Sequence, residues 1–224
     1  MEDLIFKLID LAEQIEKDET KQLLYAYYES GKSLDYVRWL EQEKKLRFND
    51  EIKNFYADLN CFQLMWIDKN NPEFDADKHV FSLESFSFDL PRKSELEIDG
   101  CINIWPLGDV LNESWEESVY FDSEREIKLN YNQQETTLLE LKKKFLPFDL
   151  FSKEECIGFF SSNNDNNVNS IIMGSDYYSS IRYSKSCSLS NYLEKLILSK
   201  GAIEYRRKLF DGSKAFEFSP LSNQ

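Results

Sequence analysis

Up to Leu59 the apolar positions recur at helical spacing. Leu4, Ile5, Leu8, Ile9, Ala12 and Ile15 fall three and four apart, which places them on one helix face. Leu23, Leu24, Tyr27 and Tyr28 repeat the spacing over a shorter stretch and Gly31 supplies a stop, so a second short helix is expected there. Ser33 can cap a third helix carrying Tyr36, Val37 and Leu40. Asn49 can cap a fourth, striped by Ile52, Phe55, Tyr56 and Leu59. These stripes read first as packing faces.

From residue 61 the period shortens. Cys61–Ile67 is a short apolar, β-leaning run, and Phe81, Leu83, Phe86, Phe88 and Leu90 alternate with polar residues, with a phase slip that predicts a bulge. Gly100–Trp105 reads as a strand ended by Pro106, and Ile127, Leu129 and Tyr131 alternate again. Cys156–Phe160, Ile171–Met173 and Ile181–Tyr183 are further strand candidates, while Ser161–Asn169 reads as a solvated loop. A last helix is capped by Ser188, striped by Leu189, Tyr192, Leu193, Leu196 and Ile197, and ended by Gly201. Helices, then strands, then a helix predict an α+β fold. The expected sheet is mostly antiparallel or mixed, with about five to six strands packed by helices. The expected division is an N-terminal helical extension over residues 1–48, packed on a main domain over residues 49–224.

Composition fits a folded chain. Of 224 residues 42% are apolar, with 17 Phe and 12 Tyr, against only 7 Gly and 5 Pro; a disordered or collagen-like chain is excluded. The formal net charge is −14, and residues 49–140 alone hold 21 acids against 7 bases. Such a surface repels phosphate backbones, so no direct nucleic-acid binding is expected; a basic protein partner suits it. The opening Met1-Glu2-Asp3 lacks a basic segment followed by an apolar run, and no apolar stretch is long enough to span a bilayer. A cytoplasmic location without membrane insertion is expected. Cys61, Cys101, Cys156 and Cys187 form no CxxC pair, so free buried thiols are expected in place of a zinc site.

Candidate chemistry is sparse. The single histidine, His79, sits in a polar loop, and there is no G-x-S-x-G, G-x-G-x-x-G or P-loop, so neither a nucleophilic triad nor a nucleotide cofactor is indicated. Asp68, Glu73, Asp75, Asp77 and His79 crowd one segment as hard ligands. Asp165, Asn167, Asn169 and Asp176 approach a calcium-loop spacing, but Ser170 stands where glycine is needed and Asp176 where a bidentate glutamate belongs. They are weak metal candidates. No catalytic residue and no cofactor is expected.

The feature that points most clearly to an activity is an acidic stretch with aromatics inside it: Asp109, Glu113, Trp115, Glu116, Glu117, Tyr120, Asp122, Glu124 and Glu126. Aromatic side chains can anchor a docked protein while carboxylates steer its approach. A solvated sheet edge guarded by acids is the competing reading.

Order and spacing of several segments resemble the SUKH superfamily, which includes fungal cell-wall-assembly regulators of the Smi/Knr type and many bacterial immunity proteins. The resemblance rests on Asn49-Asp50-Glu51-Ile52-Lys53-Asn54-Phe55-Tyr56, Leu59-Asn60-Cys61-Phe62 with Trp66, and Gly100-Cys101-Ile102-Asn103-Ile104-Trp105-Pro106-Leu107. Trp115, Phe121-Asp122, Ser188-Leu189-Ser190-Asn191-Tyr192-Leu193 and Gly201 complete it. It covers about residues 49–205, and Cys61 replaces the family's usual glycine. The resemblance implies a non-enzymatic protein-binding module, an immunity protein that neutralises a cognate basic, nuclease-type toxin. Alternatives are a regulatory or scaffold protein like the fungal members, or a calcium-dependent or hydrolytic protein using the acidic loops.

Overall fold

The computed structural model describes residues 1–75, 85–94, 97–112, 128–131, 134–137, 145–153, 155–161, 167–175, 180–183 and 188–210. The chain begins with helices α1 (Glu2–Ile9) and α2 (Leu11–Glu16), followed by strand β1 (Lys21–Ser30). Helix α3 (Leu34–Lys44), strand β2 (Arg47–Phe48), helix α4 (Asp50–Asp58) and strand β3 (Leu59–Asp68) come next. Helix α5 (Leu90–Lys93), strand β4 (Gly100–Ile104) and helix α6 (Leu107–Leu111) lead to β5 (Lys128–Tyr131), β6 (Gln134–Thr137), β7 (Phe145–Leu150), β8 (Cys156–Ser161), β9 (Asn167–Ser175) and β10 (Ser180–Tyr183). Helices α7 (Leu189–Leu198) and α8 (Ile203–Phe210) close the described chain.

The fold is α+β. Among the described residues one sheet has eight strands in the order β1-β3-β4-β7-β8-β9-β10, with β2 also on β9, and β5 and β6 make a separate pair. All its pairings are antiparallel except β2 with β9, so the sheet is mixed and larger than the five to six strands expected.

Three helix starts are where the caps place them. The Ser33 hydroxyl accepts the Tyr36 amide, the Asn49 carboxamide accepts the Ile52 amide at 3.0 Å, and the Ser188 hydroxyl accepts the Asn191 amide. Each cap satisfies a donor the first turn leaves open.

Residues 21–30 correct the sequence reading: the expected second helix is strand β1. Its spacing matches a helix stripe, but Tyr25, Tyr27 and Tyr28 suit a pleated surface, and β3 offers a partner along nearly its whole length, from Lys21↔Asp68 to Ser30↔Leu59. Tertiary pairing outweighs local spacing. Gly31 does not end a helix. Its amide donates to the Asp58 carbonyl at 2.9 Å, and a Cβ there would strike the Ala57 carbonyl, so the residue is glycine because the backbones of β1 and α4 nearly touch. Residues 1–48 thus supply two strands to the main sheet as well as three helices.

The alternation through Phe86, Phe88 and Leu90 is also not a strand. Residues 85–89 cross the sheet irregularly and Leu90 opens α5. Side-chain amides replace a neighbouring strand. Gln63 Nε2 donates to the Ser87 carbonyl at 2.6 Å and its Oε1 accepts the Ser87 amide at 3.1 Å, while Asn103 Nδ2 donates to the Phe88 carbonyl at 2.7 Å. Gln63 and Asn103 pair across β3 and β4, so they share a face and hydrogen-bond to each other. Residues Asn167 and Asn169, read as part of a loop, lie in β9.

The opposite face carries the helices. Helices α1, α4 and α7 pack against one another, and Trp66 Nε1 donates to the Lys200 carbonyl at 2.7 Å. On this side Asp149 and Arg206, both fully buried, form an ion pair at 2.9 Å. The Tyr192 hydroxyl donates to Asp149 at 2.6 Å and the Asn103 amide at 2.7 Å, while Arg206 also donates to the carbonyls of Cys101 and Gly201 and stacks over Phe151. These bonds meet most of the pair's lone pairs and protons, as a charge with no access to water requires, and leave the Arg206 Nε–H, among the described residues, without a partner. Among the described residues, no helix is long and apolar enough to cross a membrane.

Candidate protein-binding site

Of the nine residues in the acidic, aromatic-bearing stretch, Asp109 is placed in the structure. Glu113, Trp115, Glu116, Glu117, Tyr120, Asp122, Glu124 and Glu126 lie outside the described residues. Asp109 sits on α6, a single short turn entered through Pro106 and anchored by the buried Leu107, Val110 and Leu111. The helix presents Asp109 half-buried while its apolar residues enter the core. Burial, with the Glu29 charge adding to it, pushes the Asp109 carboxyl above the usual carboxylate range.

Glu29 comes from the far end of β1 and is fixed by two donors. The Tyr27 hydroxyl meets Oε1 at 2.7 Å and Asn60 Nδ2 meets Oε2 at 2.8 Å. These bonds favour the charged form and lower the Glu29 pKa; the same bond to Tyr27 raises that phenol to about 12. Cys61, directly across from Glu29, is buried, and burial pushes its thiol to about 12. A thiol held protonated is a poor nucleophile. Cys61, Cys101 and Cys156 are all buried.

Aromatic surface joins this corner from α3, which packs on α6. Tyr36 and Trp39, three residues apart on α3, stack with ring centroids 5.8 Å apart. Trp39 is 53% exposed. The Tyr36 hydroxyl reaches α6 at Gly108, where a Cβ would meet it at 3.0 Å. An exposed indole, a supporting phenol and two carboxylates therefore lie around the α3–α6–β1 corner. Sequence reading missed Trp39, Tyr36, Tyr27 and Glu29, which sit in segments read as helical packing stripes. An aromatic as large as Trp39, beside but off the Val37–Leu40 stripe, was the available signal.

The weak metal candidates are placed only in part. Asn167 and Asn169 belong to β9, while Asp165 and Asp176, like Asp77 and His79, lie outside the described residues. Asp68 accepts from Asn70, and Asp99 accepts from Asn71 and the Asp68 amide. Among the described residues, no three His, Cys, Asp or Glu side chains converge as a metal site.

No family model matches the chain, and neither a curated protein nor a solved structure matches it.

Proposed function

We propose that the chain is a non-enzymatic, cytoplasmic protein-binding module of the immunity type, which binds and neutralises a cognate basic toxin of the nuclease class. One observation carries the reading: Trp39, stacked on Tyr36, stands exposed beside the α6 helix that bears Asp109. Tryptophan is costly to leave in water and is among the commonest anchors of protein interfaces. The acids that follow α6 in sequence, from Glu113 to Glu126, extend the same acidic character, and the net charge of −14 favours encounter with a cationic protein. The SUKH resemblance points the same way. In this mechanism Trp39 enters a pocket on the toxin, and the carboxylates cover the cationic groove with which the toxin holds its substrate.

The test is calorimetric titration of the protein with a basic nuclease-type toxin domain encoded beside its gene. Tight binding is expected, weakened at least tenfold by Trp39→Ala and by Glu113, Glu116 and Glu117 together changed to Lys. Tight binding that ignores both variants removes the proposed face, and no binding removes the toxin reading.

A further inference from the structure

We propose that β1 is a self-association edge, through which two copies of the chain pair antiparallel over Tyr25–Glu29 about a two-fold axis at Tyr27. This inference does not depend on the toxin reading and needs no ligand, though its window takes in Tyr27 and Glu29 of the corner described above.

β1 ends the sheet order, so among the described residues its outer edge faces no strand. A row of unpaired backbone groups is a template for another strand, and natural edges are blunted by proline, lysine or bulges. In β1 such devices are confined to its ends. Lys21 is held by Asp18 at 3.1 Å, the Gln22 carboxamide occupies the Leu23 carbonyl at 3.1 Å, and the register breaks between Leu23 and Tyr25. A second break falls between Glu29 and Ser30. Between the breaks, Tyr25–Glu29 is a regular five-residue window without proline or lysine.

The middle of that window is Tyr27. A two-fold axis there sets Tyr27 against Tyr27 of the second copy, Ala26 against Tyr28, and Tyr25 against Glu29. Residues directly opposite in an antiparallel pair share a face, and each of these pairs has matching parity. Tyr28 is 53% exposed, the most open large apolar side chain on the strand, and it meets the small, exposed Ala26. Glu29, the only charge in the window, already has Tyr27 and Asn60 on its oxygens, and no like charge stands opposite. The window is complementary to itself. Opposing this, two chains of net −14 repel, so association strengthens with salt as screening shortens to about 10 Å at ~0.1 M.

Sedimentation velocity of the purified chain over a concentration and salt series tests this. A reversible dimer is expected, strengthened by salt and weakened at least tenfold by Ala26→Lys or Tyr28→Lys, with circular dichroism confirming that each variant folds. Tyr27→Cys, which places two thiols at the axis, is expected to give a covalent dimer on mild oxidation that the parent chain does not. A monomer at every concentration overturns the proposal. So does a dimer indifferent to all three substitutions. If β1 amides gain protection from hydrogen exchange only when another protein is added, the edge belongs to that protein and the second-copy assignment fails.

Discussion

Arg206 reaches from α8 through the helical layer to Asp149 on β7 and meets its carboxylate at 2.9 Å, with neither side chain touching solvent. The pair ties the last described helix to the middle of the sheet, and Tyr192 and the Asn103 amide complete the shell around the carboxylate. Removing one partner leaves a buried charge without compensation, which costs about 3–5 kcal/mol. Arg206→Met is expected to lower urea-unfolding stability on that scale. The double change with Asp149→Asn is expected to recover part of the loss, because both charges are then gone. Equal stability of Arg206→Met and the parent chain would show that the pair is dispensable.

A second prediction concerns Gly201. Its φ is +72°, and a Cβ there would lie 2.5 Å from Ile102 Cγ1. Its amide also donates to the Leu196 carbonyl at 2.9 Å, closing α7, and its carbonyl accepts from Cys101 and Arg206. Gly201→Ala adds backbone strain and a core clash, each of about 1–3 kcal/mol. A fall of at least 2 kcal/mol in unfolding free energy is expected, against a much smaller change for Gly108→Ala, where the nearest atom is the tip of the Tyr36 side chain at 3.0 Å. Similar losses at the two sites would contradict this packing.

Trp39 separates binding from stability. Because it is half out of the surface, with its ring stacked on Tyr36, Trp39→Ala is expected to change stability by less than about 1 kcal/mol. Loss of an interface anchor costs about 2 kcal/mol or more in binding. Thermal unfolding unchanged while toxin affinity falls is the expected pair of results; a large drop in stability would mark Trp39 as a packing residue.

The Glu29–Tyr27 bond predicts two limbs in the pH dependence of stability. Glu29 has a lowered pKa in the folded chain, so its contribution is present above the ordinary glutamate value of 4.5 and is lost as pH falls through the lower folded value. Tyr27 is raised from 10.0 to about 12, so its contribution is present below pH 10 and is lost as pH rises towards 12. Both effects are small, below about 1 kcal/mol, because the pair lies near solvent. Glu29→Gln is expected to flatten both limbs in chemical-denaturation curves taken across pH. Parallel curves for parent and variant would remove the coupling.

Short-range chemistry was legible in the residues themselves. Ser33, Asn49 and Ser188 mark helix starts because a side-chain oxygen needs only the next turn's amides, and Pro106 closes β4 because it cannot extend a ladder. The α+β class followed from the change of hydrophobic period near residue 60. The same local reading failed where the deciding partner was distant. Residues 21–30 carry a helix-like spacing yet pair with β3, about forty residues away, and Phe86–Leu90 alternate yet are held by the amides of Gln63 and Asn103. The candidate site divides along the same line. Acidity and aromatic content are properties of composition, so Asp109 was visible. That Glu29, Tyr36 and Trp39 lie beside it was decided by the packing of α3 on α6 and by the edge position of β1. Local propensity acts over one turn of chain, whereas the company a side chain keeps is set by which distant surfaces bury each other most completely.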